Sequence, residues 1–327
     1  MEPVPIVKED KMMKKFASIL LILAVIIAPL SLFGCSTADD GKITVVCTVF
    51  PIYDWARNIA CESDTVNVVL LIKNGSDPHS YQPTAEDVLT VRDAELMIRL
   101  GGESDGFVEE LMRGADSTAD MKLMEAEGVT LRHMSKESHS HEGEEHHHQN
   151  DEHIWLSLKN AAACVTEITE ALCELSPNES ESFRNNAEEY KQRLSALDLA
   201  YEAEVAKHQE PRIIFADRFP FVYMTEDYGI EYCAAFEGCT TEAEASFDTV
   251  LSLGDRLDRW STGCLAVTES ADTRLAQRII QSSSSKDVEI VVFDSMQKVD
   301  VSSINAGATY LTIMEKNLTS LSKALGA

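Results

Sequence analysis

The chain has 327 residues, 44% of them hydrophobic, and carries 28 Lys and Arg against 55 Asp and Glu for a formal net charge of −27. That apolar content excludes a disordered chain and suffices for one large or two medium globular domains. The charge excludes nucleic acid and anionic headgroups as electrostatic partners and favours cations.

From Met13 the sequence reads "MKKFASILLILAVIIAPLSLFGCS", with Lys14 and Lys15 ahead of an apolar run that breaks at Pro29. This is the order of a secretory signal, and a cysteine stands directly after the expected cut. The segment resembles a bacterial lipoprotein signal with a lipobox. That resemblance implies a signal over residues 1–35, translation from Met13, and a lipidated Cys35 as the mature N-terminus on the outer face of the cell membrane. A single membrane-spanning anchor is the rival, but the run is short for a full span and Pro29 interrupts it. Beyond Cys35 stand Cys47, Cys61, Cys164, Cys173, Cys233, Cys239 and Cys264. Export permits disulfides, and Cys164/Cys173 and Cys233/Cys239 are near enough in sequence to pair, but the odd total leaves a thiol over and no Cys-x-x-Cys occurs.

After a polar tether, "KITVVCTVF" predicts a buried strand ended by Pro51, "PIYDWARNIA" a helix, and "VNVVLLI" a second strand. The loop "KNGSDPHSYQP" follows, then a capping box over Thr84–Asp87 opening another helix and a strand "AELMIRLG". Residues 135–152 are His-, Glu- and Ser-rich without apolar periodicity, and we expect a mobile loop there. Ser176, Pro177 and Glu179 read as the cap of a long helix. Its apolar stripe is Phe183, Ala187, Tyr190, Leu194, Leu197, Tyr201 and Val205, over ~45 Å at ~1.5 Å per residue. Strands "RIIFAD", "CLAVTES" and "VEIVVFDS" then alternate with helical patterns to the C-terminus. The expected fold is α/β: two lobes with parallel sheets, 36–176 and 209–327, joined by one long helix over 177–208.

Four potential metal ligands fall at C-terminal ends of predicted strands, where open α/β sheets bind: His79, His153, Asp217 and Asp294. Imidazole with carboxylate suits zinc and accommodates manganese. Taken singly, each histidine reads better as a satisfied structural residue than as a ligand.

Together, "SDPHSYQPT", the acidic His-rich insertion, "NDEHIWLS", "VTES", "VVFDS" and "YLTIMEKNLTSL" stand in an order that resembles the zinc- and manganese-binding solute-binding lipoproteins of bacterial ABC importers. The resemblance covers residues 42–327. It implies a metal ion held in the cleft between the lobes, with His79 and His153 as its histidine ligands, Asp294 as its carboxylate, and an ABC permease as the partner. It also implies no enzymatic activity, and we expect a monomer. The chain departs from the family at the third ligand. Counting back from Tyr228-Gly229 puts Arg218 where a histidine or glutamate is expected; aligning on Asp217 puts Ala216 there. Neither side chain can ligate, which leaves Asp217 or water; Asp217 reads otherwise as a structural cap or a partner to Arg218. Glu269 matches a position near the cleft, in a supporting role rather than as a ligand, and Glu244 a segment leading into a helix.

Six of the nine histidines lie between His139 and Trp155. His153 belongs to the expected cleft, whereas His139, His141, His146, His147 and His148 would hold zinc weakly on a flexible tether or serve no role beyond solvation. Imidazole richness favours zinc over manganese. Two readings from other classes are a zinc hydrolase, for which neither His-Glu-x-x-His nor a nucleophile motif is present, and a surface adhesin with a degenerate cleft.

Overall fold

The computed structural model describes residues 41–115, 118–133, 150–238 and 245–326. The signal segment with Cys35, the insertion histidines from His139 to His148, Cys239 and Glu244 lie outside these residues. Among the described residues no helix is long and apolar enough to cross a membrane.

The first half runs β1 (Ile43–Cys47), α1 (Phe50–Ile59), β2 (Val66–Leu70), α2 (Ala85–Arg92), β3 (Leu96–Arg99), α3 (Val108–Leu111) and β4 (Ala119–Lys122). Helices α4 (Leu158–Leu175) and α5 (Ser180–Val205) follow. The second half runs β5 (Arg212–Phe219), α6 (Val222–Asp227), β6 (Glu231–Glu237), α7 (Phe247–Trp260), β7 (Cys264–Thr268), α8 (Arg274–Ser282), β8 (Glu289–Phe293), α9 (Val301–Asn305) and α10 (Tyr310–Gly326).

Both sheets are parallel and share one topology, β2-β1-β3-β4 and β6-β5-β7-β8. In each, the chain steps to one side of its first strand and then crosses to the other. The crevices at β1/β3 and β5/β7 are therefore switch points, where such sheets take ligands beyond their C-terminal strand ends. The expected two-sheet α/β architecture is what the structure shows. Sequence reading passed over β4 and β6, edge strands whose "ADMK" and "EYCAAFE" carry charges that a buried parallel strand lacks.

The Thr84 box forms as expected: its hydroxyl accepts from the Asp87 amide, and Asp87 returns a bond to the Thr84 amide. The cap of the long helix does not. Pro177–Glu179 wind as a 3-10 turn, and the Ser176 hydroxyl goes to Thr65 and Glu179. Glu179 is itself drawn to Ser63 and Thr65. Helix α5 therefore starts at Ser180 and has 26 residues, ~39 Å in place of ~45 Å. All seven residues of its stripe are buried.

That stripe is part of one core. A single cluster joins Val45, Trp55 and Ile98 of the first half to Phe215, Phe293 and Tyr310 of the second through Leu194, Leu197 and Tyr201 of α5. Buried hydroxyls tie the same parts by hydrogen bonds: Tyr201 to the Met314 carbonyl at 2.6 Å and Tyr310 to the Trp155 carbonyl at 2.6 Å. From Ile43 onward the chain is one compact unit. Cys164 and Cys173 both lie on α4, nine residues apart, ~13.5 Å along the axis, too far to bridge. Both are free thiols, as are Cys47, Cys61 and Cys264.

Candidate metal centre

His79 follows β2 in the short 3-10 turn Pro78–Ser80, and the Asp77 side chain accepts its backbone N–H at 3.1 Å. The loop lies against the second half of the chain. The Val301 amide donates to the Lys73 carbonyl at 3.1 Å, and a Cβ on Gly75, whose φ is +66°, would stand 2.7 Å from the Lys298 carbonyl oxygen. Glycine is required there by both conformation and space.

His153 is buried. One carboxylate oxygen of Asp151 takes both its backbone N–H and its ring Nδ1, each at 2.8 Å. Asp151 is anchored in turn by the Tyr223 hydroxyl, 2.6 Å from its carbonyl. The Nδ1–H bond to a carboxylate sets the tautomer and leaves the Nε2 lone pair for a ligand. His79 and His153 face each other with ring centroids 5.7 Å apart, and the Trp155 ring packs 5.1 Å from His153. Between the two imidazoles stands Gln297, its amide nitrogen 2.6 Å from His153 Nε2 and 3.3 Å from His79 Nε2.

Asp294 follows the last residue of β8. Asn317 of α10 clamps its backbone through two 2.8 Å bonds, and its carboxylate accepts the Met296 amide at 2.8 Å. Beside it Glu269 accepts both the amide and the hydroxyl of Ser295 at 2.9 Å. Burial pushes both carboxyls above their ordinary values, and the Asp294 charge raises Glu269 further. A nearby cation relieves such a pair.

Asp217 closes the β5/β7 switch point by accepting the amide and hydroxyl of Thr268. Arg218 does not pair with Asp217; its guanidinium reaches Asp77 at 3.5 Å, so it braces the His79 loop. Ala216 is buried among apolar side chains. The structure thus brings His79 and His153 together, while Asp294 and Asp217 are held by other partners. Among the described residues no three of His, Cys, Asp and Glu stand as one ligand set. A separate cavity of about 310 Å³ is lined by Asp217, Arg218, Arg274, Arg278 and Lys298 among others, and its basic side chains make it a poor place for a cation.

Sequence reasoning missed Asp77, Asp151 and Gln297. The acidic neighbours stand two residues before each histidine, a spacing that suits a side chain accepting a backbone N–H two positions on. Gln297 carries no comparable signal.

The family model for the periplasmic zinc-uptake complex component A matches residues 45–324. The zinc-binding lipoprotein AdcA of Streptococcus pneumoniae serotype 4 is 32% identical over 315 residues, 94% of this chain and 60% of its own length. The chain therefore spans about three fifths of that relative. The metal ABC transporter substrate-binding lipoprotein SsaB of Streptococcus sanguinis is 28% identical, covering 96% of this chain and 99% of itself. Among solved structures, the Zn(II)-bound ZnuA-like domain of Streptococcus pneumoniae AdcA superposes with a TM-score of 0.69 at 26% identity, over 88% of this chain and 100% of that domain.

Proposed function

Because the chain belongs to the family of periplasmic zinc-uptake complex component A proteins, we propose that it captures Zn(II) outside the cytoplasm and delivers it to an ABC permease. Cys35 would tether it to the outer face of the membrane through lipid. The observation that carries this reading is the convergence of two imidazole Nε2 atoms on one point between the two halves of the fold, with Asp151 holding the ring that is buried. We take His79 and His153 as ligands and Asp294 as the carboxylate, drawn in by the ion whose charge its buried setting favours. Asp217 is the candidate for the place left by Arg218 and Ala216.

Zinc is favoured over manganese because borderline imidazole donors rank zinc above manganese in affinity. The relatives support the metal class: one is named a zinc-binding lipoprotein and another a metal ABC transporter substrate-binding lipoprotein. The function needs no catalytic group, and the division at residues 176 and 208 into lobe, linker helix and lobe belongs to the same proposal. Calorimetric titration of zinc and manganese into the metal-stripped mature chain, with and without residues 135–150, tests it. One tight zinc site lost in His79→Ala and Asp294→Ala, and retained without the insertion, is the expected result. Tight binding that vanishes with the insertion while both variants bind normally overturns it in favour of a surface metal collector.

A further inference from the structure

The turn Asp294–Gln297 holds the least relaxed backbone near the histidines. Met296 has φ +61° and is 1% exposed, whereas the other non-glycine residues with positive φ among the described residues, Glu62 and Ser261, are exposed. A buried unbranched side chain in the left-handed region is strained and persists only where its surroundings over-determine it. Here they do. Asn317 clamps Asp294, the Asp294 carboxylate takes the Met296 amide, and Trp155 Nε1 donates to the Ser295 carbonyl at 2.9 Å.

What this strain accomplishes is the placement of Gln297. With Nδ1–H of His153 committed to Asp151, Nε2 is an acceptor, so only a donor can stand 2.6 Å from it. The Gln297 amide therefore presents its NH2 group, whose two hydrogens serve His153 and His79. An amide nitrogen has no available lone pair and cannot remain as a metal ligand. A zinc ion ~2.0–2.1 Å from both imidazoles would overlap it.

We propose that Gln297 is an internal stand-in for the cation: its amide donates to both imidazole lone pairs and must leave before a metal can enter. The inference rests on the reading of His79 and His153 as ligands. Gln297 then sets the threshold of capture. Its displacement costs the same whatever ion enters, so it weakens every cation by one common factor, as any equilibrium with a closed state does. Two neutral hydrogen bonds exchanged for hydration make that factor about tenfold.

The test uses the full chain, stripped of metal and titrated with zinc and with manganese. Gln297→Ala and the volume-preserving Gln297→Met are each expected to tighten both ions about tenfold and leave their ratio unchanged. In the wild type, the Gln297 side-chain NH2 resonances, assigned by their loss in either variant, are expected to move to solvent-exposed shifts as zinc is added. Unchanged affinity in folded variants overturns the proposal. So does weaker binding, which would make the Gln297 oxygen a ligand. His79→Ala and His153→Ala separate this from the underlying reading. If they bind zinc normally, the site itself is misassigned; if they lose zinc while the Gln297 variants match the wild type, only the stand-in role fails.

Discussion

At the scale of single residues, the proposed centre depends on groups outside its proposed ligand set. Asp151 holds His153 by backbone and ring at once. Removing such a support commonly costs 10- to 100-fold in metal affinity. Asp151→Asn is therefore expected to weaken zinc binding by about that factor in calorimetry while the far-ultraviolet dichroism stays that of the wild type. A second buried carboxyl makes a prediction about pH. Asp105 is pushed up to about 6, chiefly by burial and further by the Glu152 charge, against the lowering effects of the Gly101 amide, which donates to it at 2.9 Å, the Leu100 backbone and the Arg99 charge. A folded value above the unfolded one means that the native state binds the proton more tightly. The stabilisation is complete below about pH 4 and is lost as pH rises through about 6, an effect on the order of 2–3 kcal/mol. Asp105→Asn is expected to flatten this part of the profile and to exceed the wild type in stability above pH 6, read from melting temperatures between pH 4 and 8.

At the scale of elements, the loop after β2 matters more than its lack of regular structure suggests. It carries His79, and it is fixed by the Asp77 turn, the Arg218 pair and the close approach of Gly75 to the Lys298 carbonyl. The Arg218 pair is partly exposed, so its worth is at the low end of surface ion pairs, ~0–1 kcal/mol. The Gly75 contact is steric and leaves no room to adjust. Gly75→Ala is expected to cost about 1–3 kcal/mol in urea unfolding and to weaken zinc binding, because the loop must lift away and carry His79 with it. A variant with wild-type stability and affinity would show that the loop yields without moving the histidine.

At the scale of the whole molecule, the two sheets share one core, so the halves are expected to unfold together. Leu194, in the middle of α5, is 1% exposed and belongs to the cluster that reaches both sheets. Leu194→Ala is expected to cost about 2–5 kcal/mol in a single transition, with hydrogen exchange in β1 and β7 weakened by the same amount. Different losses in the two strands would mean that α5 joins two independently folding lobes.

The alternation of β-branched strands with helical stretches, the capping box at Thr84 and the stripe along α5 were all legible in the sequence, because local periodicity and local hydrogen bonding generate them. Edge strands β4 and β6 were not legible, since what makes them strands is a neighbour rather than their own composition. The cap at Ser176 was misread for a related reason: Glu179, which would have closed it, finds better partners in Ser63 and Thr65, over a hundred positions away. The family order of motifs pointed to His79 and His153, but only the tertiary structure set Arg218 against Asp77 and Gln297 between the histidines. Residues far apart in the chain meet only where the two sheets share a core, and no local pattern encodes a contact across 218 positions.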